Sequence, residues 1–202
     1  MTITQLEQRC RNLQPGLIGV KRHYGVLVPL VEQGGDAHIL FEVRADTMHR
    51  QPGEVCFPGG RAEEGETPEA CAIRETCEEL GIPRSAIHPI APWDKLPIPG
   101  GLIHPLLARI DSEAAAAQRL NPAEVKETFL VPVDFFLNTE PVVHHLPLIP
   151  QIDDPSINEQ VGFPQGYPWR GGEHLVPIWH YGGHAIWGIT GRILLWHLGQ
   201  PW

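Results

Sequence analysis

The sequence predicts a protein of the α/β or α+β class, because strand-like and helix-like patterns are mixed along it. Apolar runs of strand length occur at residues 24–31, 38–44 and 102–110, and a helical period occurs at residues 68–80. With 202 residues, of which 42% are hydrophobic, the chain can bury one sizeable core. Neither a repeat nor a linker divides it, so we expect a single domain over residues 1–202.

The first part of the chain predicts a short helix followed by strands. Residues 3–13 show a weak amphipathic pattern. Residues 24–31 predict an edge strand, because Pro29 has no N–H to donate to a neighbouring strand. The EQGGD turn at residues 32–36 then brings the chain back as a second strand at residues 38–44.

The best-defined element is a helix over residues 68–80, which follows a short strand at residues 54–57 and a tight Pro-Gly-Gly loop. Thr67 is suited to cap the start of this helix, and Pro68 occupies the first position, where a missing N–H costs nothing. Gly81 is suited to end it. A narrow apolar stripe faces the core and consists of Ala70, Ile73, Cys77 and Leu80.

The remainder predicts further strands, two short helices and a final helix. We expect strands at residues 90–98, 102–110, 124–133 and 175–181, and helices at residues 111–120, 134–137 and 184–198. A turn at residues 99–101 joins the first two of these strands, and residues 140–172 predict loops with some strand.

Three carboxylates share one face of the helix at residues 68–80. Glu75, Glu78 and Glu79 are three and four residues apart, and they lie near the negative end of the helix dipole, so they destabilise the helix. One interpretation is a solvated acidic face. The other is a site for Mg²⁺ or Mn²⁺, since such hard cations prefer carboxylate oxygens.

The residues around this helix decide between the two interpretations. They read Gly60-x5-Glu66-x7-Arg74-Glu75-Thr76-x-Glu78-Glu79-x-Gly81-Ile82. This is similar to the signature of the Nudix hydrolases, G-x5-E-x7-R-E-U-x-E-E-x-G-U, where U is a bulky aliphatic residue and Thr76 is the one departure. Residues 60–82 are therefore identified as a Nudix box. The resemblance implies an α/β/α sandwich with a mixed β-sheet, and hydrolysis of a diphosphate that is linked to another group.

The resemblance also implies roles for the box residues. Glu75 and Glu79 lie one helical turn apart and are expected to hold a divalent ion, Mg²⁺ or Mn²⁺, together with the carbonyl of Gly60. Glu78 is expected to bind or bridge a second ion and to orient or deprotonate the attacking water. Glu75 and Glu78 are thus the expected catalytic residues, with the metal neutralising charge on the phosphoryl oxygens.

Arginines are expected to support this site from two sides. Arg74 is expected to pair with Glu66 and to fix the loop against the helix. Upstream, residues 39–60 read ILFEVRADTMHRQPGEVCFPGG, which resembles the LLTxR[SA]xxxRxxxGxxxFPGG motif of the coenzyme A diphosphatase branch. Arg44 matches the first arginine of that motif. His49 stands at the position of the second arginine, and Arg50 follows it.

A planar guanidinium is suited to clamp a phosphate, so Arg44 and Arg50 are expected to bind the substrate. The alternative for Arg44 is a surface residue that ends a strand. Two later stretches resemble the same branch, at residues 121–133 and at residues 186–194, which read IWGITGRIL.

The branch resemblance implies a nucleotide-like substrate, coenzyme A, and the products 4′-phosphopantetheine and adenosine 3′,5′-bisphosphate. One alternative is another nucleoside diphosphate derivative, such as ADP-ribose, NADH or a dinucleotide. A second alternative is a catalytically silent Nudix-fold sensor that binds a nucleotide. The presence of all four box glutamates favours an enzyme over a sensor.

Composition excludes several other classes. The net charge of −9 argues against nucleic-acid partners and anionic membranes. The first ten residues lack the apolar segment of a secretory signal, and no apolar run approaches the ~18 residues of a membrane span. The four cysteines include no CxxC pair, so we expect free thiols rather than a zinc site. These features predict a cytoplasmic enzyme.

Tryptophans are concentrated in the C-terminal part, at Trp169, Trp179, Trp187 and Trp196. We expect them to be core residues, with Trp187 in the core or in the contact of a homodimer. The alternative is that they line a pocket for adenine or for a pantetheine arm.

Overall fold

A computed structural model describes residues 1–13 and 15–199. Its largest element is an eight-stranded sheet of β1 (Arg22–Gln33), β2 (Asp36–Arg44), β3 (Val55–Cys56), β4 (Gly59–Arg61), β5 (Ile87–Pro92), β6 (Leu96–Ile98), β7 (Gly101–Ile110) and β8 (Val125–Pro132). A smaller sheet contains β9 (Val142–Leu148), β10 (Gly172–Tyr181) and β11 (His184–Ile186). The helices are α1 (Ile3–Cys10), α2 (Pro68–Leu80), α3 (Ser112–Ala116), α4 (Val133–Asn138), α5 (Ile157–Gln160) and α6 (Gly188–Leu198), with a 3₁₀ turn at Arg84–Ala86.

The large sheet is mixed and is built around β1. Strand β1 runs parallel to β7 on one side. On its other side it pairs antiparallel with β4 through its first half and with β2 through its last residues. Strand β2 continues the sheet to β3 and β8, and β7 continues it to β5 and β6.

The expectation that residues 24–31 form an edge strand is therefore wrong, although Pro29 does lack a donor. The N–H of Leu27 donates to the carbonyl of Pro58 at 2.9 Å, and the nitrogen of Pro29, two residues on, points to the same side. The pairing with β2 begins only at Leu30, so Pro29 lies where β1 passes from one partner to the next. A buried proline is tolerated in a central strand because no ladder bond is needed there.

Helices cover both faces of the large sheet. Helices α2 and α3 bury one core, which includes Leu27, Leu40, Ile73, Leu80 and Ala115. Helices α4 and α6 bury the other core, which includes Phe41, Val131, Phe136, Ile193 and Leu194. Neighbouring residues of β2 divide between the two cores, as the alternation of a strand requires. The predicted α/β/α sandwich with a mixed sheet is confirmed.

The predicted helix at residues 68–80 is confirmed with both of its caps. The hydroxyl of Thr67 accepts a hydrogen bond from the N–H of Ala70 at 3.2 Å, and Pro68 is the first helical residue. Gly81 ends the helix in the left-handed conformation, with φ of 65°. The EQGGD turn and the strand that follows it are also confirmed.

Other local predictions need correction. Residues 59–61, expected as loop, form β4 because they pair with β1. The strand predicted at 90–98 is divided into β5 and β6, and the helix predicted at 111–120 covers only Ser112–Ala116. The helix predicted at 184–198 begins later, because residues 184–186 pair with β10 as strand β11.

The tryptophans also divide into two groups. Trp179 is buried in the α6-side core, as predicted, and its indole N–H donates to the carbonyl of Thr139 at 2.8 Å. Trp169, Trp187 and Trp196 are exposed, so the core expectation is wrong for these three. The four cysteines are free thiols, as predicted. Within residues 1–13 and 15–199, no helix combines the length and the apolar character needed to cross a bilayer.

Candidate active site

The site is assembled where β4 and α2 meet at Gly25 of strand β1. Gly60 of β4 lies opposite Gly25 in the sheet. A Cβ atom at Gly25 would overlap the carbonyl oxygen of Pro68 and come within 2.7 Å of the backbone nitrogen of Ala72. Helix α2 therefore packs its backbone directly on β1, and this close approach holds its carboxylates against Pro58, Gly59 and Gly60, the chain entering β4 that we call the glycine loop.

Two of the three predicted metal-binding carboxylates lie against that loop. The carboxylate of Glu79 is 5% exposed and accepts a hydrogen bond from the N–H of Gly59 at 2.9 Å. The carboxylate of Glu75 lies so close to Gly60 that a Cβ atom added at Gly60 would overlap that carboxylate. The carbonyl of Gly60 accepts a hydrogen bond from the thiol of Cys71 at 3.3 Å. Glu78, by contrast, is exposed at the rim.

Arg74 connects the carboxylates of the box. Its guanidinium contacts both oxygens of Glu66, with Nε to Oε1 at 2.9 Å and Nη2 to Oε2 at 3.1 Å. Its Nη1 atom reaches Glu75 at 2.9 Å and Glu78 at 3.0 Å. These hydrogen bonds raise the pKa of Arg74 and lower the pKa of Glu66. Arg74 thus fixes the relative positions of three acidic side chains.

Thr76, the one departure from the family signature, is accommodated locally. Its side chain is fully buried on the core face of α2, and its hydroxyl donates to the carbonyl of Ala72 at 2.7 Å. The hydroxyl is the one polar group that an aliphatic residue would lack, and the preceding turn of α2 supplies its hydrogen-bond acceptor. The substitution leaves the carboxylate face of the helix undisturbed.

Sequence analysis missed Glu42, a buried carboxylate beside this cluster. Glu42 is 1% exposed on β2, and its Oε1 atom accepts a hydrogen bond from the thiol of Cys56 at 3.2 Å. Its Oε2 atom is buried and has no hydrogen-bond partner among the described residues. A charged residue inside the apolar run ILFEVR, where the motif quoted above has threonine, is the sequence signal that could have revealed it.

Burial and mutual repulsion make this cluster bind protons tightly. Desolvation, followed by the charge of Glu42, raises the pKa of Glu79. Desolvation likewise raises the pKa values of Glu42 and of Glu75. Glu124 lies in the stretch at residues 121–133 that resembles the coenzyme A diphosphatase branch. Its negative charge adds to all three pKa shifts. The cluster is therefore poised to accept either protons or a cation.

The donor set fits a divalent cation such as Mg²⁺ or Mn²⁺, because it consists of carboxylate and carbonyl oxygens. The unpartnered oxygen of Glu42 and the raised pKa values show that negative charge here lacks compensation. Across the part of the chain that the structure describes, no three acidic, histidine or cysteine side chains already form a metal-ligand group. Glu75 and Glu78 are instead each held by Arg74 through one carboxylate oxygen.

The predicted substrate arginines line the same cavity as the glycine loop. This cavity measures about 280 Å³, and its lining includes Arg44, Arg50, Gly59, Gly60 and Trp187. The Nε atom of Arg44 donates to the carbonyl of Arg50 at 3.3 Å, which holds the two arginines together. The structure therefore brings two cations and the glycine loop to one cavity, with an exposed indole at its edge.

Comparison with known proteins is consistent with this geometry. The family model described as NUDIX domain matches residues 21–151. The peroxisomal coenzyme A diphosphatase NUDT7 of Mus musculus is 37% identical over 119 residues, covering 58% of this chain and 50% of that protein. The mitochondrial coenzyme A diphosphatase NUDT8 of Homo sapiens is 29% identical over 201 residues, covering 93% of this chain and 74% of that protein.

Other relatives are named only as Nudix hydrolases. The chloroplastic Nudix hydrolase 22 of Arabidopsis thaliana is 29% identical over 177 residues, which is 84% of this chain and 52% of that protein. This chain thus spans about half the length of NUDT7 and of Nudix hydrolase 22.

Solved structures with a similar arrangement include a C. elegans Ap4A hydrolase in a binary complex. It has a TM-score of 0.46 and 18% identity, and the match covers 56% of this chain and 81% of that chain. The family-model match takes in more than half of the chain, including β1, the glycine loop and helix α2 with its carboxylates. On that match, the chain belongs to the Nudix family.

Proposed function

We propose that this protein hydrolyses the diphosphate bond of coenzyme A or its derivatives in a reaction that depends on Mg²⁺ or Mn²⁺. The observation that carries this proposal is the placement of a carboxylate cluster and two arginines around the same glycine loop. Carboxylates suit the cation, and guanidinium groups suit the phosphates. Relatives named as coenzyme A diphosphatases support the choice of substrate.

The proposed cation ligands are Glu75, Glu79 and the carbonyl of Gly60, with Glu78 at the rim available to a second ion. When bound, the cation lowers the pKa of the attacking water and neutralises charge on the phosphoryl oxygens. Glu78 is the proposed proton acceptor, because it is exposed to solvent and contacts the same Nη1 atom of Arg74 as Glu75 does. Glu78, as proton acceptor, and Glu75, as cation ligand, are thus the two proposed catalytic residues.

The remaining side chains bind and position. Arg44 and Arg50 are proposed to hold the diphosphate in the cavity, opposite the glycine loop. Glu66 and Arg74 are proposed to fix the box helix and to set the positions of Glu75 and Glu78. Water then attacks one phosphorus atom, one P–O bond breaks, and the products are 4′-phosphopantetheine and adenosine 3′,5′-bisphosphate.

The decisive experiment is a substrate panel with product identification by mass. It contains coenzyme A, dephospho-coenzyme A, ADP-ribose, NADH and diadenosine polyphosphates, each with Mg²⁺ or Mn²⁺. We expect coenzyme A to be cleaved best and Glu79→Gln to be inactive. Preference for ADP-ribose, NADH or a dinucleotide would support diphosphate hydrolysis but reject coenzyme A as the substrate. Ligand binding without turnover would instead identify a nucleotide sensor.

We also propose that residues 1–202 act as one catalytic domain, since both cores share the same sheet. Residues 14 and 200–202 of that span lie outside the described residues. A cytoplasmic location, the absence of nucleic-acid and membrane partners, and a homodimer stay predictions. Some relatives are named as peroxisomal or mitochondrial, so their names do not support a cytoplasmic location. Cell fractionation and light scattering test location and oligomeric state.

A further inference from the structure

A second cavity lies beside helix α6, on the side away from the box helix. It measures about 520 Å³ and is enclosed by residues 94–96, by the start of β10 and by α6. Its apolar wall includes Leu96, Leu175, Ile193 and Leu195. The indole of Trp196, which is 59% exposed, lies at its rim.

Among the described residues, the two cations that line this cavity form no salt bridge with its two carboxylates. Of its two carboxylates, Asp94 accepts a hydrogen bond from the indole of Trp196 at 2.8 Å, and Glu173 pairs with His145 at 2.9 Å. Its two permanent cations are Arg192 and Lys95. Neither forms a salt bridge with any residue in the ranges 1–13 and 15–199, since the ion pairs there involve other cations.

Arg192 is the more informative of these two cations. It lies half-buried on α6, and burial alone lowers its pKa, with no carboxylate acting in the opposite direction. A partly desolvated guanidinium without an anionic partner is costly, and an anion that enters the cavity would remove that cost.

This cavity adjoins the cavity of the proposed active site. Ile193 of α6 lines both of them. On strand β6, Leu96 faces the α6 cavity and Ile98 faces the active-site cavity. A substrate whose diphosphate lies between Arg44 and the glycine loop can therefore extend one of its arms along β6 and α6.

We propose that the α6 cavity binds the phosphorylated nucleoside end of the substrate, with Arg192 and Lys95 contacting a phosphate monoester on the ribose. This inference rests on the proposed function, because it assigns the arm of that same substrate. A pantetheine arm is uncharged and would leave both cations without a partner, so the nucleoside end is the better fit. The exposed indole of Trp196 offers a surface for the base.

The test measures the contribution of the ribose phosphate by calorimetry, without added metal and in EDTA. Adenosine 3′,5′-bisphosphate and adenosine 5′-phosphate are titrated into the wild type and into Arg192→Met, Arg192→Lys and Arg11→Met variants. We expect the bisphosphate to bind the wild type about ten- to a hundredfold more tightly than the monophosphate. Arg192→Met should abolish this preference, and Arg192→Lys should retain part of it.

The control Arg11→Met removes an exposed cation beyond the end of α1 and should leave the preference intact. The inference is overturned if the wild type shows no preference, if Arg192→Met retains it, or if Arg192→Met weakens both ligands equally. Because no turnover is measured, these results hold whether or not coenzyme A is hydrolysed. An active enzyme that treats coenzyme A and dephospho-coenzyme A alike would reject this inference alone.

Discussion

The two faces of the large sheet differ in the charged groups that they carry. On the α2 face, Glu42, Glu75 and Glu79 repel one another, and burial raises their pKa values. On the α6 face, Arg192 and Lys95 have no ion-pair partner among the described residues. The substrate proposed above therefore needs a bound cation at the α2 face, whereas two cations are available to it on the α6 face. We infer that the cation binds on the α2 face, whereas the arms of the substrate are selected on the α6 face.

The strongest way to test the α2 side is Glu79→Gln, for which we expect kcat to fall about a thousandfold. Removal of a cation ligand forfeits several kcal/mol of stabilisation of the transition state. At pH values above the raised pKa of Glu79, the same change should raise the melting temperature in EDTA, because there it removes a buried charge that repels Glu42. Glu69→Gln, at the exposed start of α2, is the matched control and should change neither quantity. Full activity of Glu79→Gln would reject the cation site.

A smaller loss is expected from Arg74→Lys, in the range of about ten- to a hundredfold in kcat. An ammonium group cannot contact both oxygens of Glu66 and also reach Glu75 and Glu78. The binding of adenosine 5′-phosphate in EDTA should stay unchanged, since Arg74 is not part of either cavity lining. Steady-state kinetics and calorimetry together check this, and an equal loss in ligand binding would contradict a positioning role.

The packing of the two faces can be compared with one pair of glycine substitutions. Gly25→Ala places a methyl group into the backbone of α2, whereas Gly191→Ala places one 2.9 Å from the carbonyl oxygen of Pro177. We expect Gly25→Ala to lower the free energy of unfolding by about 3 kcal/mol or more, and Gly191→Ala by about 1 kcal/mol. Urea unfolding measures both. Equal effects would show that α2 does not approach the sheet more closely than α6.

The last prediction concerns the pH dependence of stability through Glu42. Burial raises the pKa of Glu42 in the folded protein to about 7, so its favourable contribution is fully present below the usual pKa of a glutamate and is lost as pH rises through the folded pKa. Glu42→Gln should remove this decline, which amounts to at most about 1.4 kcal/mol per pH unit for one proton. Urea unfolding in EDTA at several pH values between 4 and 8 checks it. An unchanged slope would show that Glu42 does not titrate in this range.

Local sequence patterns predicted the box helix almost completely. Thr67, Pro68 and Gly81 act through contacts within a few residues, and such contacts can be read from the sequence. The position of β1 could not be predicted in this way. Pro29 indicated an edge strand. In the structure it lies in a gap between the two strands that pair with β1, and that gap depends on pairing with residues distant in the sequence.

The site shows the same limit. The box residues follow from spacing, whereas Glu42 joins them only because β2 faces α2 in three dimensions. Trp187 and Trp196 were expected in the core, since large aromatic residues are usually buried. They line cavities instead, and the lack of an ion-pair partner for Arg192 within residues 1–13 and 15–199 is recognised only when the partners of Asp94 and Glu173 are known.

The close approach at Gly25 has a consequence for engineering and for mutational tolerance. This residue faces Gly60 across the sheet and the backbone of α2 above it, so a side chain at this position would disturb the strand and the helix together. It lies outside the signature by which the family is recognised. A library designed to change substrate choice should keep Gly25, Gly59 and Gly60 constant and vary β6 and α6, where side chains already determine the shape of the cavities.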